Sequence, residues 1–82
     1  MTIRLLFFSL LRDVTGTDEL ELALPRERVR VRELLEILYE RFDGLGEWDE
    51  KLLVAINCEY ADGDDLIAAG DEVAIMPPVQ GG

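Results

Sequence analysis

Short runs of alternating apolar and polar residues recur along the chain and predict β-strands. Residues 2–8 carry apolar side chains in both registers, so this strand is predicted to lie centrally in a sheet. Residues 19–25 alternate leucine with glutamate or alanine and end at a proline, which predicts a half-exposed strand in a hairpin with the first. Residues 52–57 predict a buried strand, residues 59–61 a short strand, and residues 72–76 a closing strand.

A helical pattern occupies the middle of the chain. Residues 31–42 repeat apolar side chains at the spacing of one helical face, which consists of Val31, Leu34, Leu35, Leu38, Tyr39 and Phe42. Residues 9–16 allow only a helical turn or two and stop at Gly16. The sequence therefore predicts one main helix.

The order of these elements predicts the fold class. A single amphipathic helix has one apolar face and must cover a sheet, which makes a two-layer α+β domain. The order of two strands, a helix and three further strands fits the β-grasp, or ubiquitin-like, arrangement, in which a mixed sheet holds the first and last strands side by side and parallel. We expect the domain to span residues 1–76, and residues 77–82 to form an extended C-terminal tail.

The predicted helix begins after Arg30, whose side chain has no acceptor for the free N–H groups of a first turn. Glu33 stands at the third helical position, where a carboxylate can reach back to the chain before the helix. Replacing Arg30 with threonine is predicted to stabilise the domain by about 1 kcal/mol, from the usual effect of a cap.

Composition limits the classes of function. The chain has 82 residues, 49% hydrophobic and 32% charged, which indicates one globular domain too small to hold a deep active site. Its 8 basic and 18 acidic residues give a net charge of −10, which disfavours nucleic acid and anionic membranes and favours a basic protein partner. The acidity is equally compatible with a role in solubility alone. No targeting or membrane-spanning segment is recognisable, so we expect a cytoplasmic protein.

Catalytic and metal-binding patterns are missing from the sequence. There is no histidine, and the only cysteine, Cys58, has no second cysteine or basic neighbour to activate it, which predicts an unreactive, partly buried thiol. The run "DGDD" at 62–65 lacks the spacing of a calcium loop and is interpreted as a solvated turn. We therefore expect the chain to bind no metal and no cofactor.

The end of the chain, "IMPPVQGG", carries the clearest chemistry. Pro77 and Pro78 favour an extended, stiff arm. Gly81 and Gly82 have no side chain and can pass through a channel too narrow for other residues. A protruding terminal carboxylate can be adenylated and then attacked, by a persulfide to give a thiocarboxylate or by a cysteine to give a thioester.

Four segments resemble the small subunits of molybdopterin synthase, which are ubiquitin-like sulfur carriers of molybdenum-cofactor biosynthesis. They are "LFFSLLRDVTG" near the start, "VRELLEIL" in the helix, "LLVAIN" followed by "EY", and the final run "LIAAGDEVAIMPPVQGG". The resemblance covers nearly the whole chain, and the final run is its most specific part.

The resemblance implies a carrier whose chemistry takes place on other proteins. An adenylating enzyme related to ubiquitin-activating enzymes would use ATP on Gly82, and a persulfide donor would convert it to a thiocarboxylate. The tail, with Gly81 threaded, would then enter the large synthase subunit and give its sulfur to a cyclic pyranopterin phosphate, forming the dithiolene within a heterotetramer. This chain would be a non-catalytic, sulfur-donating subunit. A carrier for thiamine or tRNA thiolation and a ubiquitin-like protein modifier remain as alternatives.

A docking surface is predicted near the root of the tail. If the odd-numbered residues of the first strand face the helix, Phe8 faces outward beside Met76. Tyr60, on the short strand, is predicted to join them, and the resemblance places contacts with the large subunit at these positions. Pro77, Pro78 and, with them, Val79 would be tail contacts. The alternative is that Phe8, Met76 and Tyr60 only complete the core.

Overall fold

The structure, a computed structural model, describes residues 1–78. Within this range the chain forms seven strands, two α-helices and one 3₁₀ segment. In chain order these are β1 (Thr2–Phe7), α1 (Leu11–Thr15), β2 (Glu19–Ala23), β3 (Arg28–Arg30), α2 (Val31–Arg41), the 3₁₀ segment (Leu45–Lys51), β4 (Leu53–Ile56), β5 (Glu59–Ala61), β6 (Leu66–Ala68) and β7 (Glu72–Met76).

Five strands form one mixed sheet in the order β2-β1-β7-β4-β5. The central strands β1 and β7 are parallel, with Leu5 opposite Val73, and every other pair in this sheet is antiparallel. Helix α2 is the main helix and supplies buried side chains to the core on one side of the sheet. The predicted two-layer α+β domain with a β-grasp arrangement is confirmed.

The strands β3 and β6 were missing from the sequence prediction. They pair antiparallel as a separate two-stranded sheet, with Val29 opposite Ile67. Each strand has three residues and only its middle side chain is buried, at 1% exposure for Val29 and 0% for Ile67. One inward residue produces no alternation, so these strands depend on the surrounding fold and have no periodic signal of their own.

The core lies between α2 and the inner face of the sheet. The inward side chains of the central strands are Ile3, Leu5, Phe7, Val73 and Ile75, all at most 1% exposed. From α2, Val31, Leu34 and Leu38 are buried, whereas Leu35, Tyr39 and Phe42 are only partly buried. The rings of Phe7 and Phe42 meet edge to face, with centroids 5.7 Å apart. The predicted inward face of β1 and the predicted apolar face of the helix are confirmed.

The start of α2 is held by the turn that precedes β6. The Arg30 N–H donates to a carboxylate oxygen of Glu33 at 3.1 Å, as the sequence predicted. The first two N–H groups of α2 donate to the carbonyls of Asp65 and Gly63, both at 3.0 Å. Tertiary contacts therefore supply most of the capping that the Arg30 side chain cannot.

The 3₁₀ segment closes the end of the core next to α2. Trp48 is partly buried against the core. The Tyr39 hydroxyl donates to the Asp49 carboxylate at 2.6 Å. Burial, followed by the hydrogen bond and the negative charge of Asp49, raises the pKa of Tyr39 well above its ordinary range.

Candidate functional site

The outer face of the five-stranded sheet carries an apolar row. Alternation along the strands places Leu6 beside Ala74, Ala74 beside Ala55, and Ala55 beside Tyr60. The Tyr60 side chain at the edge of this row is 74% exposed. The row therefore runs from the centre of the sheet to its edge at β5.

A second apolar row lies closer to the end of the sheet from which the tail leaves. Leu53 is opposite Met76. Phe8 follows directly after β1, and its N–H donates to the Ile75 carbonyl at 3.2 Å, which places it alongside Met76. Phe8 is 45% exposed and Met76 is half-buried. The predicted proximity of Phe8 and Met76 is confirmed, and neither residue belongs to the buried core.

Tyr60 lies on the same face at a greater distance from the tail. Strand β4 separates β5 from β7, and Tyr60 is in register with Ala74, two residues before Met76. The Cα atoms of Tyr60 and Met76 are therefore about 12 Å apart, from two strand spacings and two residues along the strand. Leu53 on β4 lies between them, and Leu6 extends the apolar surface onto β1 on the other side of β7. Neither was singled out from the sequence as a docking residue. Their signal was present in the alternation, because each is the outward neighbour of a buried residue.

The apolar rows have an acidic border. Arg4 is opposite Glu21 on one side and Glu72 on the other, and it forms an ion pair with Glu19 at 3.4 Å. Glu19 itself is opposite Leu6. Three glutamates thus neighbour one arginine across the strands, which leaves this border negative and complementary to a basic protein surface.

We define the docking face as Leu6, Phe8, Leu53, Ala55, Tyr60, Ala74 and Met76. The tail begins beside it, because Pro77 and Pro78 follow β7 directly and are half-buried. The predicted roles of Val79, Gly81 and Gly82 concern positions outside the described residues. The roles predicted for Phe8, Tyr60, Met76, Pro77 and Pro78 in partner binding remain predictions.

Cys58 differs from its predicted setting. With Asn57 it forms the two-residue turn between β4 and β5, at φ angles of 49° for Asn57 and 72° for Cys58. Cys58 is exposed, so the expectation of a partly buried thiol is wrong. The reason is that Cys58 stands at the tip of a hairpin. The Asn57 side chain turns back to the sheet, where it accepts the Glu72 N–H and donates to the Asp71 carboxylate, both at 3.0 Å.

The acidic residues considered as a metal site have structural roles in the described part of the chain. The run 62–65 forms a turn, in which the Asp65 carboxylate accepts the Asp62 N–H at 2.7 Å. Among residues 1–78, no three histidine, cysteine, aspartate or glutamate side chains are grouped so that they could hold a metal ion. None of the helices in the same range combines the length and apolar character that crossing a bilayer requires.

Comparison with known proteins places the chain in a family. Residues 5–82 match the model of the ThiS family. The chain is 38% identical over 81 residues to the molybdopterin synthase sulfur carrier subunit of Escherichia coli (strain K12), covering 98% of this chain and 99% of the relative.

Two solved structures have closely similar folds. A Pyrococcus furiosus protein described as a molybdopterin converting factor subunit 1 is 31% identical, with a TM-score of 0.85 over 96% of this chain and 99% of that one. The small archaeal modifier protein 1 of Haloferax volcanii is 26% identical, with a TM-score of 0.82 over 95% and 98% of the two chains. The chain therefore belongs to the ThiS family, as a relative of the molybdopterin synthase sulfur carrier subunits.

Proposed function

We propose that this chain is the sulfur carrier of molybdopterin synthase. An adenylating enzyme uses ATP to convert the Gly82 carboxylate to an acyl-adenylate and releases pyrophosphate. A persulfide sulfur displaces AMP, and cleavage of the resulting S–S bond by a second thiol leaves a thiocarboxylate on Gly82. The loaded tail enters the large subunit, where its sulfur is transferred to a cyclic pyranopterin phosphate to build the dithiolene.

The observation that carries this proposal is the position of the docking face. Its apolar rows reach the end of the sheet at which β1 and β7 both stop, and β7 leads directly into Pro77 and Pro78. A partner that covers Phe8 and Met76 is therefore in position to receive the tail. The ThiS-family match extends through residue 82, and the E. coli relative, matched over almost its full length, is named as a sulfur carrier subunit.

The charge of the chain supports a division of labour between the subunits. A net charge of −10 makes this chain a poor host for a phosphorylated substrate, so the substrate site belongs to the large subunit. ATP is likewise bound by the adenylating enzyme, and this chain binds no cofactor in the proposal. We place the reaction in the cytoplasm, where thiols are kept reduced and ATP is available.

Intact mass spectrometry tests the proposal. The wild-type chain is incubated with the adenylating enzyme, a persulfide donor, a reducing thiol and ATP. We expect the mass of the 9.3 kDa chain to increase by about 16 Da, the mass difference between sulfur and oxygen. The loaded protein should then support dithiolene formation by the large subunit. Deletion of Gly82 should prevent both results, and sulfur loading of the truncated chain would contradict the proposal.

A second candidate is a ubiquitin-like protein modifier, which the similarity to the Haloferax volcanii modifier protein favours. In that case the activated Gly82 would form an isopeptide bond with a lysine of another protein. Covalent adducts on target proteins, in place of a thiocarboxylate, would support this alternative. A thiocarboxylate that the large subunit does not accept would instead indicate a carrier for thiamine or tRNA thiolation.

A further inference from the structure

Four large apolar side chains are exposed in the described part of the chain, and two of them lie in a single turn. Phe8 is 45% exposed and Leu10 is 57% exposed, and both lie in the connection between β1 and α1. The two others, Tyr60 and Leu66, lie at 74% and 50% exposure on strands β5 and β6. Phe8 belongs to the docking face, whereas Leu10 is outside the sheet and has no part in the function proposed above.

The turn that carries Leu10 has a fixed shape. Ser9, between the two apolar residues, has a φ of 56°, a conformation that residues other than glycine adopt infrequently. The Leu11 N–H donates to the Phe8 carbonyl and the Arg12 N–H donates to the Ser9 carbonyl, both at 3.1 Å. These bonds hold Ser9 in its unfavourable backbone conformation and keep Leu10 in solvent. The exposed Leu10 side chain does not stabilise the isolated domain.

The position of this turn connects it with the tail. Because β1 and β7 are parallel, the turn after β1 and the tail after β7 leave the sheet at the same end. Four residues follow Pro78, and four residues of any conformation reach at most about 14 Å. A partner that reacts with Gly82 must therefore bring its surface close to this end of the sheet, where Leu10 protrudes.

We propose that Leu10 forms a second contact with the partner that receives the tail, by entering an apolar depression beside that partner's channel. This inference rests on the proposed sulfur-carrier function. The contact extends the docking face around the end of the sheet, so that the partner holds the domain on two sides of the tail. The fixed turn means that little conformational freedom is lost when Leu10 is covered.

The experiment measures the dissociation constant of the complex with the molybdopterin synthase large subunit encoded by the same genome. Leu10→Ser should weaken binding roughly five- to fifteenfold, as expected when just over half of a leucine side chain loses its cover. Leu10→Met, which keeps an apolar side chain, should retain most of the affinity. Leu66→Ser is the matched control, because Leu66 is equally apolar and similarly exposed but lies on β6. It should bind like the wild type.

Thermal unfolding shows that the variants are folded, and we expect only a small decrease for Leu10→Ser because more than half of its side chain is in solvent. Wild-type affinity in Leu10→Ser, together with weakened binding in Phe8→Ala, would overturn this inference and leave the docking face intact. Equal losses in Leu10→Ser and Leu66→Ser would also overturn it, since position would then not matter. A wild-type chain that does not bind the large subunit would refute the proposed function itself, and the Leu10 contact with it.

Discussion

Removing the Phe8 ring is expected to weaken binding to the large subunit by about 2 kcal/mol. A phenylalanine offers roughly 200 Å² of surface, and at the observed 45% exposure about 90 Å² of this is free to be covered by a partner. At about 25 cal/mol per Å² this area contributes about 2 kcal/mol, or roughly thirtyfold in the dissociation constant.

The same substitution also affects the fold, and the assay must separate the two effects. The covered part of the ring, about 110 Å², limits the loss in the free energy of unfolding to about 2–3 kcal/mol, which is an upper estimate. The domain should remain folded because the large side chains of its core are untouched. Denaturant unfolding therefore accompanies the binding titration for Phe8→Ala.

Leu66→Ala provides the comparison for Phe8→Ala. Leu66 is 50% exposed, so its truncation removes a similar fraction of buried side chain, but it lies on β6 outside the docking face. We expect a moderate loss of stability and unchanged binding in this variant. Folded Phe8→Ala protein that binds the large subunit with wild-type affinity would refute the assignment of Phe8 to the interface.

Three further predictions address the terminus, the helix start and the Tyr39 phenol. Appending one residue after Gly82 should abolish sulfur transfer, because about 3.5 Å of added chain equals the contact distance that the reaction requires; the dithiolene assay tests this. Arg30→Thr should stabilise the domain by less than the roughly 1 kcal/mol of a full cap, because tertiary contacts already hold two N–H groups of α2 and the variant loses an ion pair with Asp64. Denaturant unfolding should nevertheless rank Arg30→Thr above Arg30→Ala. The pKa of Tyr39 is higher in the folded state than in the unfolded state, so its contribution to stability is complete below pH 10 and is lost as the pH rises through the folded pKa. Tyr39→Phe should therefore show a shallower loss of stability above pH 10 than the wild type.

Much of the candidate site could be predicted from local patterns. The outward position of Phe8 and Met76 follows from the strict alternation of a strand, once the buried residues of β1 and β7 are identified. The helix and its apolar face followed from the spacing of Val31, Leu34 and Leu38. These features depend on residues close together in the chain, so the sequence contains them directly.

The order of the elements predicted the β-grasp arrangement, but the pairing of the strands was established by the tertiary structure. Nothing in residues 2–8 or 72–76 alone makes β1 and β7 parallel neighbours, since parallel pairing joins segments far apart in the chain through backbone groups common to every sequence. The pairing of β3 with β6 is similar, because each strand contributes one buried residue and is held only by its partner. The exposure of Cys58 depends on the hairpin register that makes it a turn residue.

The amino-acid sequence by itself predicted the five strands of the main sheet, the main helix and the acidic character of the chain, and it contains the Gly81–Gly82 pair on which the proposed activation depends. The tertiary structure confirmed that Phe8 and Met76 meet at the end of the sheet from which the tail leaves, and it alone showed that Leu10 is exposed in the turn beside them. The physical reason is that side-chain periodicity involves residues a few positions apart, whereas the end of a sheet is formed by strands that are distant in the chain. The candidate docking face lies at that end of the sheet, so it forms only after β1 and β7 have paired.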